Sequence, residues 1–371
     1  MVTISKLEFG IVRANIVKIK ENGSPVLSIC PEKLFENGYE CGDMLEIEIE
    51  GVGCYCMPFV ERIIPVGYLG IFLCDYFGAH KELTLKINNG SFVDWVGGEK
   101  GAAVSISMKE KAGYLERYNN LNIEYTNDRK DYATDEAYTN FRMVDMECVA
   151  RGVLYRGSSP LNFLENEERY KCVDYLCQRA NIKSMVNLAD SEEEIEKYMS
   201  RHGADTPYSA RLFEQHQIVA AKMKPDFFTE STMKQLAKGF RFMLSHEGPY
   251  LIHCNEGKDR TGVAMIILEA LAGAKMSDIR KDYMLTYENY YRIKEGTERY
   301  KMIQSMMFDR LIYMIAQPQK MAKFNEIDWN YINVEGVNTQ QMAMTFLKYN
   351  IGLLEDEVGQ LLSLVKGTGT F

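Results

Sequence analysis

The residues best suited to chemistry lie together in His253-Cys254-Asn255-Glu256-Gly257-Lys258-Asp259-Arg260-Thr261-Gly262. Tyr250-Leu251-Ile252-His253 before them reads as a buried strand, and Val263 to Leu271 after them as a helix apolar nearly all round. A loop at such a junction turns successive backbone N–H groups into one concavity at a helix N-terminus, a geometry that binds tetrahedral anions. The same field favours the ionised, nucleophilic form of the Cys254 thiol. Arg260, six residues on, carries a planar fork that grips two phosphate oxygens at once, which a lysine does less well. Gly257 allows a tight turn and close approach of the backbone to the anion. Asn255, Glu256, Gly257, Lys258 and Thr261 complete the expected phosphate-binding loop, with the Thr261 hydroxyl able to hydrogen-bond the sulfur. The chemistry these residues suit is in-line attack of the thiolate on phosphorus, a cysteinyl-phosphate, protonation of the leaving oxygen by an acid, and hydrolysis by water. The competing structural reading makes Cys254 one more buried cysteine. The joint spacing of cysteine, glycine, arginine and threonine argues against it.

The elements that position this loop follow from periodicity. Residues 1–110 read as β-rich: Leu45, Ile47 and Ile49 alternate with glutamates after the Cys41-Gly42-Asp43 turn. Leu83, Leu85 and Ile87 alternate again before Asn89-Gly90, as do Val104, Ile106 and Met108. Short strands punctuated by glycine predict a small barrel-like domain. Residues 111–139 are polar and charged and read as a connector. From 140 to 371 helix and strand alternate, which predicts an α/β domain with a parallel sheet flanked by helices. Ile182 to Leu188 is one strand, followed by the N-cap Ser191 and the acidic run Glu192, Glu193 and Glu194, a match to the helix dipole. A helix follows Asp226, with Met233, Leu236, Ala237, Phe240 and Met243 at a 3.6-residue period. Beyond Lys275 the chain reads as mainly helical.

The stretch HCNEGKDRTG resembles the C-x5-R loop of the protein-tyrosine phosphatase superfamily. Its Lys258-Asp259 pair is similar to that of the bacterial tyrosine/serine phosphatases whose loop reads H-C-x-x-G-K-D-R-T-G. Asn140-Phe141-Arg142 with Leu154-Tyr155-Arg156-Gly157-Ser158, and Gly352-Leu353-Leu354-Glu355-Asp356-Glu357 near the end, resemble further segments of that group. The likeness covers about 140 to 365. It implies a tyrosine-phosphatase-like fold, a cysteine-dependent phosphatase of tyrosine or dual specificity, and phosphoproteins or phosphoinositides as substrates. Asn187 and Ala189 depart from the group's D-L-R strand end, so a role carried by that strand end is in question.

For the general acid, Asp259 ranks first, since an aspartate at that position is thought to serve in some relatives. Asp226 lies 28 residues before Cys254, where tyrosine phosphatases keep a mobile acid loop; its plainer reading is a helix N-cap. Asp190, at a strand end, is a third candidate. Lys258 is expected to reach an extra phosphate or carboxylate. His253 is expected to fix the loop by hydrogen bonds, and Arg156 to support the loop or an acidic partner. In the N-terminal region, Tyr76-Phe77-Gly78, Leu83 to Ser91 and Trp95-Val96-Gly97 resemble the C-terminal β-barrel of the SAM hydroxide adenosyltransferases. That likeness leaves a scaffold or docking role as the simpler reading.

Composition narrows the alternatives. The chain has 371 residues, which favours two domains. Its net charge of -9 argues against broad nucleic-acid binding, though a locally positive pocket is compatible with it. No run approaches the length of a membrane span, and the N-terminus lacks the pattern of a secretion signal, so the reducing cytoplasm is the expected location. The nine cysteines show no paired knuckles, so no metal site is expected. No cofactor is implied. Cys54 and Cys56 would share a strand face and read as packing residues. A phosphate-dependent binding module without turnover is the second reading. A redox enzyme pairing Cys254 with Cys172 or Cys177 is the third, and Arg260 would be superfluous to it.

Overall fold

In the computed structural model, residues 9–61, 64–73, 82–88, 90–161, 167–224, 227–320, 327 and 332–368 are described. Asp226, Asn89 and Tyr76-Phe77-Gly78, singled out above, lie outside them. The chain divides into two compact units. One comprises Met1–Ile123, Ser305–Arg310 and Gln319–Ile332; the other comprises Glu124–Gln304, Leu311–Pro318 and Asn333–Phe371. The polar stretch 111–139 is thus shared between the units at Ile123/Glu124.

The first unit is a closed barrel of seven strands: β1 (Val12–Ile19), β2 (Pro25–Leu27), β3 (Met44–Ile49), β4 (Gly53–Val60), β5 (Leu69–Phe72), β6 (Thr84–Ile87) and β7 (Ala103–Glu110). Their order is β1-β2-β6-β5-β4-β3-β7, and β7 pairs back onto β1. Short helices α1 (Glu32–Glu36), α2 (Phe92–Trp95) and α3 (Leu115–Leu121) accompany them. The alternation read in β3 is realised: Leu45, Ile47 and Ile49 fill the interior with Phe59, Leu85 and Ile106. Asp43 accepts hydrogen bonds from the Glu40 and Ala112 amides, which closes the turn before β3.

Cys54 and Cys56 do share a face of β4, but it is the outer one, and both are exposed. They stand opposite Glu48 and Glu46 in the antiparallel register. Residues directly opposite in such a ladder point the same way, so outward glutamates oblige outward cysteines. The packing role read from the sequence is corrected accordingly.

The second unit holds a five-stranded sheet in the order β11-β10-β12-β9-β8. Its strands are β8 (Arg142–Met143), β9 (Leu154–Gly157), β10 (Ser184–Asn187), β11 (Ile218–Ala220) and β12 (Tyr250–His253). The last four are parallel, and β8 pairs antiparallel with β9 at the edge. The helices of this unit begin with α4 (Asp135–Thr139), α5 (Glu167–Arg179), α6 (Glu192–His202), α7 (Pro207–Glu214), α8 (Glu230–Ser245), α9 (Asp259–Ala272) and α10 (Met276–Asn289). There follow α11 (Glu298–Ile303), α12 (Arg310–Ala316, in this unit from Leu311 on), α13 (Thr339–Phe346) and α14 (Glu355–Lys366). This is the expected α/β fold of a helix-flanked parallel sheet. Ser191 and Glu194 form a capping box at the start of α6. The N-cap of α8 is Thr229, whose hydroxyl accepts from Thr232 N, so the capping role considered for Asp226 belongs to Thr229. From Thr261 to Ala272 every residue of α9 is buried, which is why its sequence is apolar all round. No helix among the described residues is long and apolar enough to cross a membrane.

Within the second unit, residues 124–138 are fastened by Arg169 of α5. Its guanidinium lies 4.2 Å from the ring of Tyr138, 4.3 Å from Tyr290, 5.1 Å from Tyr125 and 5.6 Å from Tyr132. It also donates to the carbonyls of Tyr138 and Thr126.

Candidate active site

Parallel strands end on one side of their sheet, and the loops leaving those ends are where an α/β fold gathers its chemistry. Cys254 is the first residue past β12 and is 3% exposed. The loop it opens runs directly into α9, whose first two residues are Asp259 and Arg260. Gly257 takes φ +70, and a Cβ there would stand 2.3 Å from the Gly157 carbonyl oxygen at the end of β9. Only glycine satisfies both conditions. Arg260 directs Nη1 to the carbonyls of Ala189, at 3.5 Å, and Met223, at 3.3 Å. Those residues follow β10 and β11, so the guanidinium ties together the ends of these neighbouring strands.

Asp190 also lies at that edge. Asn187, which stands where the D-L-R pattern has its acid, folds its side chain over the turn. Its Oδ1 accepts from the amides of Ala189 and Asp190, and its Nδ2 donates to Asp190 Oδ2 at 2.9 Å. Burial raises the Asp190 pKa, opposed by that hydrogen bond and by Arg260.

Lys258 reaches two carboxylates of its own loop. Its ammonium is hydrogen-bonded to the Tyr291 hydroxyl at 3.0 Å and ion-paired with Glu256 at 3.3 Å and Asp259 at 3.6 Å. The Tyr291 hydroxyl in turn donates to Glu256 Oε2. Burial disfavours the ammonium, but Asp259 and Glu256 outweigh it and hold its pKa well above the usual lysine value. Asp259 is pushed up by burial, against the pull of Lys258, and its side chain keeps 31% exposure. A carboxyl that holds its proton to higher pH and still meets solvent suits an acid. Burial alone would raise Glu256 too, but Lys258 and the Tyr291 hydroxyl bring it below its ordinary value.

Two expectations are corrected here. Among the described residues, neither ring nitrogen of the fully buried His253 makes a well-formed hydrogen bond. Burial drives its pKa down to about 3, opposed by the Cys254 backbone, so the ring is neutral. The Thr261 hydroxyl is likewise buried and makes no hydrogen bond among the described residues, so the expected bond to the sulfur is not formed.

Arg156 contacts both the loop and an acid. It is 1% exposed, donates Nη2 to the Gly257 carbonyl at 2.9 Å, and pairs through Nη1 with Asp282 of α10 at 2.5 Å. Asp282 also pairs with Arg142 Nε at 2.9 Å. Burial would lift the Asp282 carboxyl, but the two arginines hold it well below the usual range. Glu269 of α9 is driven well upward by burial and then by Asp282. Sequence reasoning missed Asp282, Tyr291 and Arg169. For Asp282 a signal existed: it falls on the buried stripe of α10 formed by Ile279, Tyr283, Thr286 and Tyr287. Among the described residues no group of histidine, cysteine, aspartate and glutamate side chains could hold a metal ion.

No curated protein matches the chain. Two solved structures are similar to it over parts of their length. One is an uncharacterized conserved protein from Thermotoga maritima, at 12% identity and a TM-score of 0.24, covering 26% of this chain. The matched part spans only 35% of that protein. The other is the core catalytic domain of the PP-IP phosphatase SIW14 from S. cerevisiae, in complex with citrate. It shares 22% identity at a TM-score of 0.27, covering 49% of this chain and 93% of that domain. Neither likeness is close enough to carry an argument about activity. The family profile is more decisive: that of the tyrosine phosphatase family matches residues 138–345, more than half of the chain. That span contains the Cys254 loop, the sheet that presents it and the helix it enters, and the chain belongs to the tyrosine phosphatase family.

Proposed function

We propose that this phosphatase cleaves phosphomonoesters through a cysteinyl-phosphate on Cys254. The observation that carries the reading is the junction itself: a thiol at the end of β12, followed at the start of an apolar helix by Arg260. Cys254 Sγ attacks phosphorus and the bond to the leaving oxygen breaks. Asp259 gives that oxygen its proton, and Arg260 balances charge on the equatorial oxygens. Water then attacks phosphorus, the S–P bond breaks, and inorganic phosphate leaves with the thiolate restored. The proton water loses returns to Asp259. The proposed substrates are phosphotyrosine or phosphoserine proteins, or phosphoinositides, met in the cytoplasm.

A nucleophile of this kind needs no metal. Hydrolysis of p-nitrophenyl phosphate in the presence of EDTA tests the reaction class, and a panel of phosphopeptides and inositol lipids ranks the substrates. Activity abolished by EDTA and restored by a divalent cation would exclude the thiolate mechanism.

A further inference from the structure

Three consecutive carbonyls of the Cys254 loop are fastened from outside it, and a fourth by the first helical bond of α9. That of Asn255 accepts from Ser159 N at 3.0 Å, and that of Glu256 from Asn140 Nδ2 at 3.0 Å. That of Gly257 accepts from Asn140 Nδ2 at 3.2 Å and Arg156 Nη2 at 2.9 Å, and that of Lys258 from Gly262 N at 2.7 Å. In a trans peptide the C=O and the next N–H point in opposite directions. Fastening these carbonyls therefore turns the amides of residues 256 to 259 the other way. Whatever holds the carbonyls sets where the amides aim.

The donors at the two middle carbonyls are themselves held by one acid. Arg142 donates Nη1 to Asn140 Oδ1 at 2.5 Å, Nε to Asp282 Oδ1 and Nη2 to the Asp282 carbonyl at 2.6 Å. Arg156 donates Nη1 to Asp282 Oδ2. The Thr286 hydroxyl, one turn on from Asp282, accepts from Asn140, Arg142 and Arg156 at 3.2 to 3.4 Å. Asp282 thus sits between two guanidiniums without touching the loop, and both paths from it end on the carbonyls of Glu256 and Gly257. We infer that Asp282 is a positioning residue for catalysis: through Arg142–Asn140 and through Arg156 it aims the amides of the phosphate-binding loop. The mechanism above has no step for this carboxylate, and its burial is costly unless the arginines need it. The inference rests on the phosphatase reading for its consequence in kcat, but not for its consequence in anion binding.

The test uses the full chain with Asp282→Asn, which keeps the shape and removes the charge, and Thr286→Val, a milder change in the same layer. Three quantities are measured well below the unfolding midpoint: kcat and KM on p-nitrophenyl phosphate, the affinity for tungstate by calorimetry, and the rate of Cys254 alkylation by iodoacetamide at fixed pH. Misaimed amides weaken the anion site, so Asp282→Asn should lose about ten- to a hundred-fold in kcat and about tenfold in tungstate affinity. Alkylation should slow as well, and Thr286→Val should move each quantity in the same direction by less. A purely structural role predicts a lower unfolding midpoint with all three quantities unchanged, and that result overturns the proposal. If Asp282→Asn does not fold, wild-type values in Thr286→Val overturn it equally. A wild-type protein that binds tungstate but turns over nothing would sink the phosphatase reading alone, and the tungstate comparison would still decide the role of Asp282.

Discussion

Replacing Gly257 by alanine perturbs the loop in a way whose size follows from its geometry. The backbone there is left-handed, at φ +70, a conformation that costs an alanine about 1–2 kcal/mol. The added Cβ would also lie 2.3 Å from the Gly157 carbonyl oxygen, and that atom is backbone of a paired strand. A strand carbonyl cannot swing aside as a flexible side chain can, so the loop must retreat by about 1 Å to reach ordinary contact. The retreat pulls Gly257 from Arg156 and Asn140 and moves the amides that face the anion. A displacement of about 1 Å costs roughly a hundred-fold in rate, and strain with the lost hydrogen bonds removes roughly 2–3 kcal/mol of stability. At about 2–4 °C per kcal/mol for a unit of this size, the melting temperature should fall by roughly 4–12 °C. The assay is turnover of p-nitrophenyl phosphate at 15 °C alongside a calorimetric melt. A Gly257→Ala protein with wild-type kcat would show that the loop is not braced against β9.

Other outcomes follow from the same geometry. Cys254→Ser should abolish turnover while tungstate still binds, and Arg260→Ala should lose both, with roughly 3–5 kcal/mol of transition-state stabilisation gone if the clamp is desolvated; near-wild-type activity in either refutes the assignment. Asp259→Asn should slow alkyl phosphates far more than p-nitrophenyl phosphate and flatten the basic limb of the pH profile, because an acid matters most for a poor leaving group. Should Asp190→Asn or Asp226→Asn carry that signature instead, the acid is misassigned. His253 is neutral when folded, with its pKa near 3, and takes up a proton in the unfolded chain below the ordinary value of 6.5. The unfolded state then binds the extra proton, so this contribution is complete above that value and is lost as pH falls, by roughly 1.4 kcal/mol per unit. Urea unfolding at pH 7 and pH 5 should accordingly show a larger acid loss in wild type than in His253→Gln, and equal losses would exclude a buried neutral ring.

The proposed nucleophile, the glycine turn and the arginine could be nominated from sequence because they lie within one strand–loop–helix, where sequence spacing is nearly spatial spacing. The barrel was legible in part for a related reason: a period of two in Leu45, Ile47 and Ile49 can bury only one face. Cys54 and Cys56 show the limit, since periodicity says that two residues share a face but not which one. That choice was made by the pairing with β3. The roles of Lys258, His253 and Thr261 depended on neighbours that spacing cannot supply. Lys258 is 33 residues from the tyrosine that engages it, and Arg156 is 126 residues from the aspartate that holds it. The sequence by itself determined which chemistry the loop can do, because that chemistry needs only local order. The tertiary structure alone decided what holds the loop in shape, because a buried charge shows its purpose only through partners brought to it from distant parts of the chain.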